Sequence, residues 1–187
     1  MIRLKTKRLI IREPLPADID EWMNRNVKSD FSINRISETT RPFVDAQIAE
    51  SWAGPYSVSR GKIHDTRTDP GFVALKNGEV IGYALYLIEN GECEIAVLES
   101  LQEKQGVGGS LINTILHEAK SANCSRAWLI TTNDNIHAIR FYQRFGFTLR
   151  AVHINAMEEA RKLKPQIPLT GNDGIPIVHE FEFEILL

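Results

Sequence analysis

"GFVALKNGEVIGYALYLIENGECEIAVLE", residues 71–99, decides how this chain folds. Asn77-Gly78 and Asn90-Gly91 divide it into three largely apolar runs. Asn-Gly between such runs is a strong hairpin signal, because both central residues of a type I′ turn take positive φ. The stretch therefore predicts an antiparallel meander with strands at about 72–76, 79–88 and 92–98.

Immediately downstream stands "LQEKQGVGGSLINTILHEAKSANC" (101–124). Leu111, Ile112, Ile115, Leu116, Ala119 and Ala122 recur at helical spacing, which predicts a helix over about 108–122. Gly106, Gly108 and Gly109 crowd its start. Free amides and the helix dipole at such a start attract anions such as phosphate, although a tight turn with no ligand has the same composition. Two common phosphate motifs are absent. Gly109 is followed by Ser110-Leu111 rather than Lys-Ser/Thr, and Gly106 and Gly108 have no third glycine at Leu111.

Further on, "RAWLITT" (126–132) reads as a strand buried on both faces. "NIHAIRFYQRFG" (135–146) reads as a helix with Asn135 or Asp134 at its N-cap and Gly146 near its end. "FTLRAVHI" (147–154) reads as a strand, and "AMEEARKLK" as a short helical piece. Residues 157–178 read as an irregular connection rich in Pro and Gly, the kind of long loop that is usually functional, and 179–187 as a terminal strand. In that last run Phe181, Phe183 and Ile185 alternate with Glu180, Glu182 and Glu184. Its apolar edge, "FEFEIL", suggests pairing between subunits in a homodimer.

Upstream of the meander, "RLIIREP" (8–14) predicts a strand and "PADIDEWMNRN" a helix. "RPFVDAQIAESWAG" (41–54) predicts a second helix, with Phe43, Ile48 and Trp52 sharing a side. "SRGKIHDTRTDPG" (59–71) is a loop or ragged hairpin. The 187 residues thus form one domain, an α/β mixed sheet. A net charge of −2 argues against a nucleic-acid partner. The N-terminal apolar run is too short for a membrane span. Cys93 and Cys124 have neither metal nor disulfide spacing and read as core residues, which with the rest predicts a cytoplasmic protein without a metal.

The upstream "QGVGGSL" and the downstream N-x-x-A-x-x-F-Y-x-x-x-G-F of residues 135–147, with a strand between them, resemble the GNAT superfamily of N-acetyltransferases. The resemblance spans roughly 1–155. It implies a largely antiparallel sheet with one parallel pair, flanked by helices, and acetyl-CoA as co-substrate. The family pattern has Gln or Arg three residues before the first glycine, where this chain has Glu103. The resemblance further implies that the amides of Gln105, Gly106, Val107, Gly108, Gly109 and Ser110 hold the diphosphate. The backbone of Ala96, Val97 and Leu98 would pair with pantetheine in a V-shaped gap between strands. Asn135 would either cap its helix alone or also face that gap.

Acetyl transfer to a primary amine requires a neutral amine and a protonated leaving sulfur. An amine of pKa near 10.4 is neutral in roughly one molecule in 2500 at pH 7, so a base helps. Glu94 is the candidate, with Glu92 of the same strand parity as the alternative. Tyr142, at the tyrosine position of the family motif, is the candidate acid. His117 and His137 read as surface residues, and Trp22, Trp52 and Trp128 as core or acceptor wall. The acceptor is a small-molecule or peptide amine. A non-catalytic acetyl-CoA sensor is the rival reading. A nucleotide-binding fold fits poorly with the antiparallel meander.

Overall fold

The computed structural model describes residues 30–52, 54–102 and 105–187. The strand and helix expected before residue 30, with Trp22, lie outside them, as does Glu103. In chain order the elements are β1 (Ser32–Arg35), α1 (Arg41–Ser51), β2 (Tyr56–Ser59), β3 (Lys62–Asp65), β4 (Gly71–Lys76), β5 (Glu79–Glu89) and β6 (Glu92–Ser100). Then come α2 (Val107–Ser121), β7 (Arg126–Thr132), α3 (Ile136–Phe145), β8 (Thr148–His153), α4 (Ala156–Leu163) and β9 (Glu180–Leu186).

The meander forms as its turns dictate. Asn77, Gly78, Asn90 and Gly91 all take positive φ, and β4, β5 and β6 pair antiparallel. Arg60 and Gly61 repeat this geometry and close β2 onto β3, so 59–71 contains a true hairpin, which forms its own two-stranded sheet. Among the described residues the main sheet has seven strands in the order β1-β4-β5-β6-β7-β9-β8. β6 and β7 are its parallel pair.

α2 lays Val107, Leu111, Ile112, Ile115, Leu116 and Ala119 on one face of the sheet, over Phe72, Ala74, Ala84, Cys93 and Ile95. α1 covers the other face with Val44 and Ile48, against Val73, Tyr83, Leu85 and Val97. Phe43 and Trp52 do not share that buried side and are 41% and 38% exposed. Five residues separate Phe43 from Ile48, which turns it well off the buried stripe at 3.6 residues per turn. Trp52 falls beyond the last helical residue.

The expected helical piece forms over Ala156–Leu163, and the irregular connection, read as 157–178, is thereby confined to 164–179, held by a Thr170–Pro176 bridge and a short 3₁₀ turn at Asn172–Gly174. One further expectation is corrected. "FEFEIL" is not an edge: β9 pairs with β7 on one side and β8 on the other, which removes that basis for pairing between subunits. No helix among the described residues is long and apolar enough to cross a membrane.

Candidate active site

The site grows out of one irregularity. Leu85 of β5 pairs with Val97, but the next residue, Tyr86, pairs with Ile95, so Ala96 is an extra residue on β6. Such a bulge bends its strand and breaks the inside-outside alternation. Cys93 and Ile95 pack under α2, whereas Val97 points to the opposite core. Just before the bulge β6 leaves its parallel neighbour. Pairing with β7 covers Glu92–Glu94 against Arg126–Trp128 and goes no further. From Ile95 onward the edge of β6 that faces β7 has no strand partner among the described residues.

The V-shaped gap opens into two cavities that share Asn135. One, of about 560 Å³, lies on the α2 and α3 side and is lined by Leu98, Gly106–Gly109 and Tyr142. The other, of about 350 Å³, lies between the β2–β3 hairpin, α4 and the connection after it, and holds Glu94, Ala96 and Glu180. Asn135 Oδ1 accepts the Ala138 amide at 3.1 Å, so the residue caps α3 and also faces both cavities.

Gly106 is the N-cap of α2 at φ 79°, a left-handed conformation that favours glycine. The first turn of α2 carries no acidic residue and no side-chain cap. Amides there have no acceptor within the helix. The free run stops at Gly109: the Ser110 amide donates to the Gly106 carbonyl at 3.0 Å, so the expectation that Ser110 joins the anion-binding amides is corrected. Gln105 is exposed and accepts from Lys76 Nζ at 3.3 Å.

Glu94 sits in the second cavity, where Ser59 Oγ of the hairpin donates to its Oε1 at 2.7 Å. Burial is the largest influence and raises its pKa, against the Ser59 hydrogen bond and the charges of Arg60 and His64. Glu92 is differently placed. Its carboxylate is tied to Arg126 at 2.8 Å, and that hydrogen bond lowers its pKa. The shared parity of Glu92 and Glu94 therefore leads to one partly buried carboxyl without an ion pair among the described residues and one carboxylate paired with Arg126.

Tyr142 is buried, packed edge-on to Phe141 and Phe147 and tilted against Phe183. Burial alone raises its pKa above the usual phenol value. Tyr142 is among the residues that line the same cavity as the glycines. His137 also lines that cavity. Trp52 lines the Glu94 cavity, and Trp128 is 8% exposed beneath the Arg60 guanidinium, 3.9 Å from its ring centroid.

Sequence reasoning missed Ser59, Lys164 and Glu180. Lys164 is buried in the cavity wall with Nζ 2.5 Å from the Tyr56 carbonyl, and desolvation lowers its pKa. Glu180 is 2% exposed, and its Oε2 has no hydrogen-bond partner among the described residues. Burial is again the main cause of its raised pKa, with the Glu94 charge adding to it. The parity of β9 identified the glutamate face, but nothing in the sequence marked that face as covered.

The model of the acetyltransferase (GNAT) family matches residues 35–147. The chain belongs to that family. The uncharacterised protein YdhI of Bacillus subtilis is 43% identical over 138 residues, covering 73% of this chain and 86% of YdhI. Among solved structures, a Bacillus subtilis acetyltransferase in complex with CoA superposes with TM-score 0.61 at 19% identity, covering 84% of this chain and 99% of that one. A GNAT family acetyltransferase from Elizabethkingia anophelis with acetyl-CoA bound gives 0.63 at 16% identity, with 84% and 99% covered. These structures share the fold.

Proposed function

We propose that the protein transfers an acetyl group from acetyl-CoA to the primary amine of an acceptor by direct attack. One observation carries the reading. The split between β6 and β7 joins a glycine-bounded helix start on one face to a carboxyl-lined cavity on the other. The residues fit the co-substrate. The amides of the first turn of α2, which itself carries no acidic residue, suit a diphosphate, and the edge of β6 across Ala96–Leu98, without a strand partner among the described residues, suits the amides of pantetheine as an added strand. Acetyl-CoA supplies the activated acyl group and a thiol leaving group.

Glu94 acts as base, directly or through a water. Its raised pKa suits removal of a proton from an ammonium near neutral pH. Ser59 holds one oxygen and leaves the other for the acceptor. Tyr142 is a weak acid, and full transfer of its proton to a thiolate of pKa near 8.5 would run uphill. Its role is to hydrogen-bond the departing sulfur as charge develops there. The same burial favours a second reading, an acetyl-CoA-binding domain without turnover. Calorimetric titration with acetyl-CoA and CoA, followed by free-thiol release across an amine panel, tests both. Binding with turnover supports the enzyme, binding without turnover the sensor, and no binding at millimolar acetyl-CoA overturns both.

A further inference from the structure

The three glutamates on one face of β9 have different fates. Glu182 is met by Arg60, Arg126 and His153, and Glu184 by Arg126 and Arg150. Glu180 has no side-chain hydrogen bond or ion pair among the described residues, yet it is the most deeply buried of the three. Only the Arg60 backbone amide and the more remote charge of His153 favour its anion, and Glu94 opposes it. A buried carboxylate oxygen without a donor is unfavourable unless something else completes it. Glu180 is among the residues that line the same cavity as Glu94. The same cavity wall also includes the apolar residues Ile95, Ile130 and Met157. The cation in that wall, Lys164, is engaged with the Tyr56 carbonyl.

The geometry points to a dicationic acceptor, an alkyl diamine or polyamine, with one ammonium held by Glu180 while the amine to be acylated meets Glu94. The inference rests on the acetyltransferase reading above. A lone ammonium would complete Glu94 and leave Glu180 unpaired. An amino acid would bring a second anion to Glu180, and a peptide N-terminus a carbonyl. A diamine brings a cation to each carboxyl and methylenes to the apolar wall.

The step balances. The reacting ammonium gives one proton to Glu94, and its nitrogen attacks the thioester carbonyl. The C–N bond forms and the C–S bond breaks. The second N–H proton leaves with the sulfur as a thiol, and the Glu94 proton passes to solvent. Glu180 keeps the distal ammonium and exchanges no proton.

The test compares 1,4-diaminobutane, 1-aminobutane and 4-aminobutan-1-ol with acetyl-CoA and the full chain, following thiol release. The expected kcat/KM is roughly 10- to 100-fold higher for the diamine, mainly through KM, the scale of one charge-assisted hydrogen bond. Glu180→Gln keeps an acceptor for the Arg60 amide but removes the charge, and it abolishes the diamine preference. Should that variant fail to fold, calorimetry decides on the unmodified protein saturated with CoA. The diamine is expected to bind roughly tenfold or more tightly than the monoamine. Equal affinities, or a diamine preference that persists in Glu180→Gln, overturn the assignment. Turnover of other amines without a diamine preference overturns it alone, whereas absence of acetyl-CoA binding overturns it together with the reading beneath it.

Discussion

At the scale of single residues, the site rests on how burial tunes acids. Glu94 must be ionised to accept a proton, and burial holds its pKa above the usual 4.5 of glutamate. The acid limb of kcat/KM is therefore expected above that value. Ser59→Ala removes an influence that lowers this pKa, so the limb moves to higher pH while the plateau is retained. A limb that stays put or moves down would rule out Glu94 as the titrating base. Glu94→Gln should reduce kcat by about 10²- to 10⁴-fold. Tyr142→Phe keeps the ring contacts with Phe141, Phe147 and Phe183, and should lower kcat by about 10²-fold without changing acetyl-CoA affinity. Unaltered kcat in that variant removes the hydroxyl from the mechanism. The placement of Tyr142 and Glu94 beside the gap was legible from the helix motif and the meander, although parity alone did not separate Glu94 from Glu92. Glu180 was not, because an alternating glutamate reads as solvent-facing.

At the scale of elements, the start of α2 is positioned by contact with β5. A Cβ on Gly82 would lie 2.5 Å from Val107 Cγ1 and 2.9 Å from the Glu99 carbonyl. Gly82→Ala is expected to push the first turn of α2 off the sheet. The measurable results are weaker acetyl-CoA binding by calorimetry, roughly tenfold, and destabilisation of about 1–3 kcal/mol, the usual scale of overpacking. Unchanged affinity despite lower stability would separate the helix start from cofactor binding. The Asn-Gly turns made the meander readable, since local chemistry alone sets them. The skip at Ala96 was invisible, because a bulge is a property of two strands in register and leaves no mark in one. The β2–β3 hairpin was half-legible: Arg60-Gly61 is a weaker turn signal than Asn-Gly, and its strands are only four residues each.

At the scale of the molecule, a charged network ties the hairpin and the far strands together. Arg126 meets Glu92, Glu182 and Glu184, while Arg60 reaches Glu182 and covers Trp128. Burial acts to raise the Glu182 carboxyl, but hydrogen bonds from Arg60, His153 and Arg126 together hold it below the usual range. Glu92 is held low by Arg126. A depressed folded-state pKa stabilises above the unfolded value and loses that contribution as pH falls through the folded one. Stability should therefore decline as pH falls below about 5. Arg126→Met leaves three carboxylates crowded and should cost about 3 kcal/mol at pH 7, with a smaller penalty near pH 4 in chemical denaturation. A penalty independent of pH would show that Arg126 contributes packing rather than charge. The whole architecture also pivots on very little. Three parallel rungs, Glu92–Glu94 against Arg126–Trp128, are the spine between a four-stranded leaf and a three-stranded one, with α2 laid across both. A ligand threaded beside that spine acts as a bookmark that fixes the angle of the leaves. Deuterium uptake at Ile95–Leu98 should accordingly slow when acetyl-CoA is added, while β4 amides far from the fold line keep their pace.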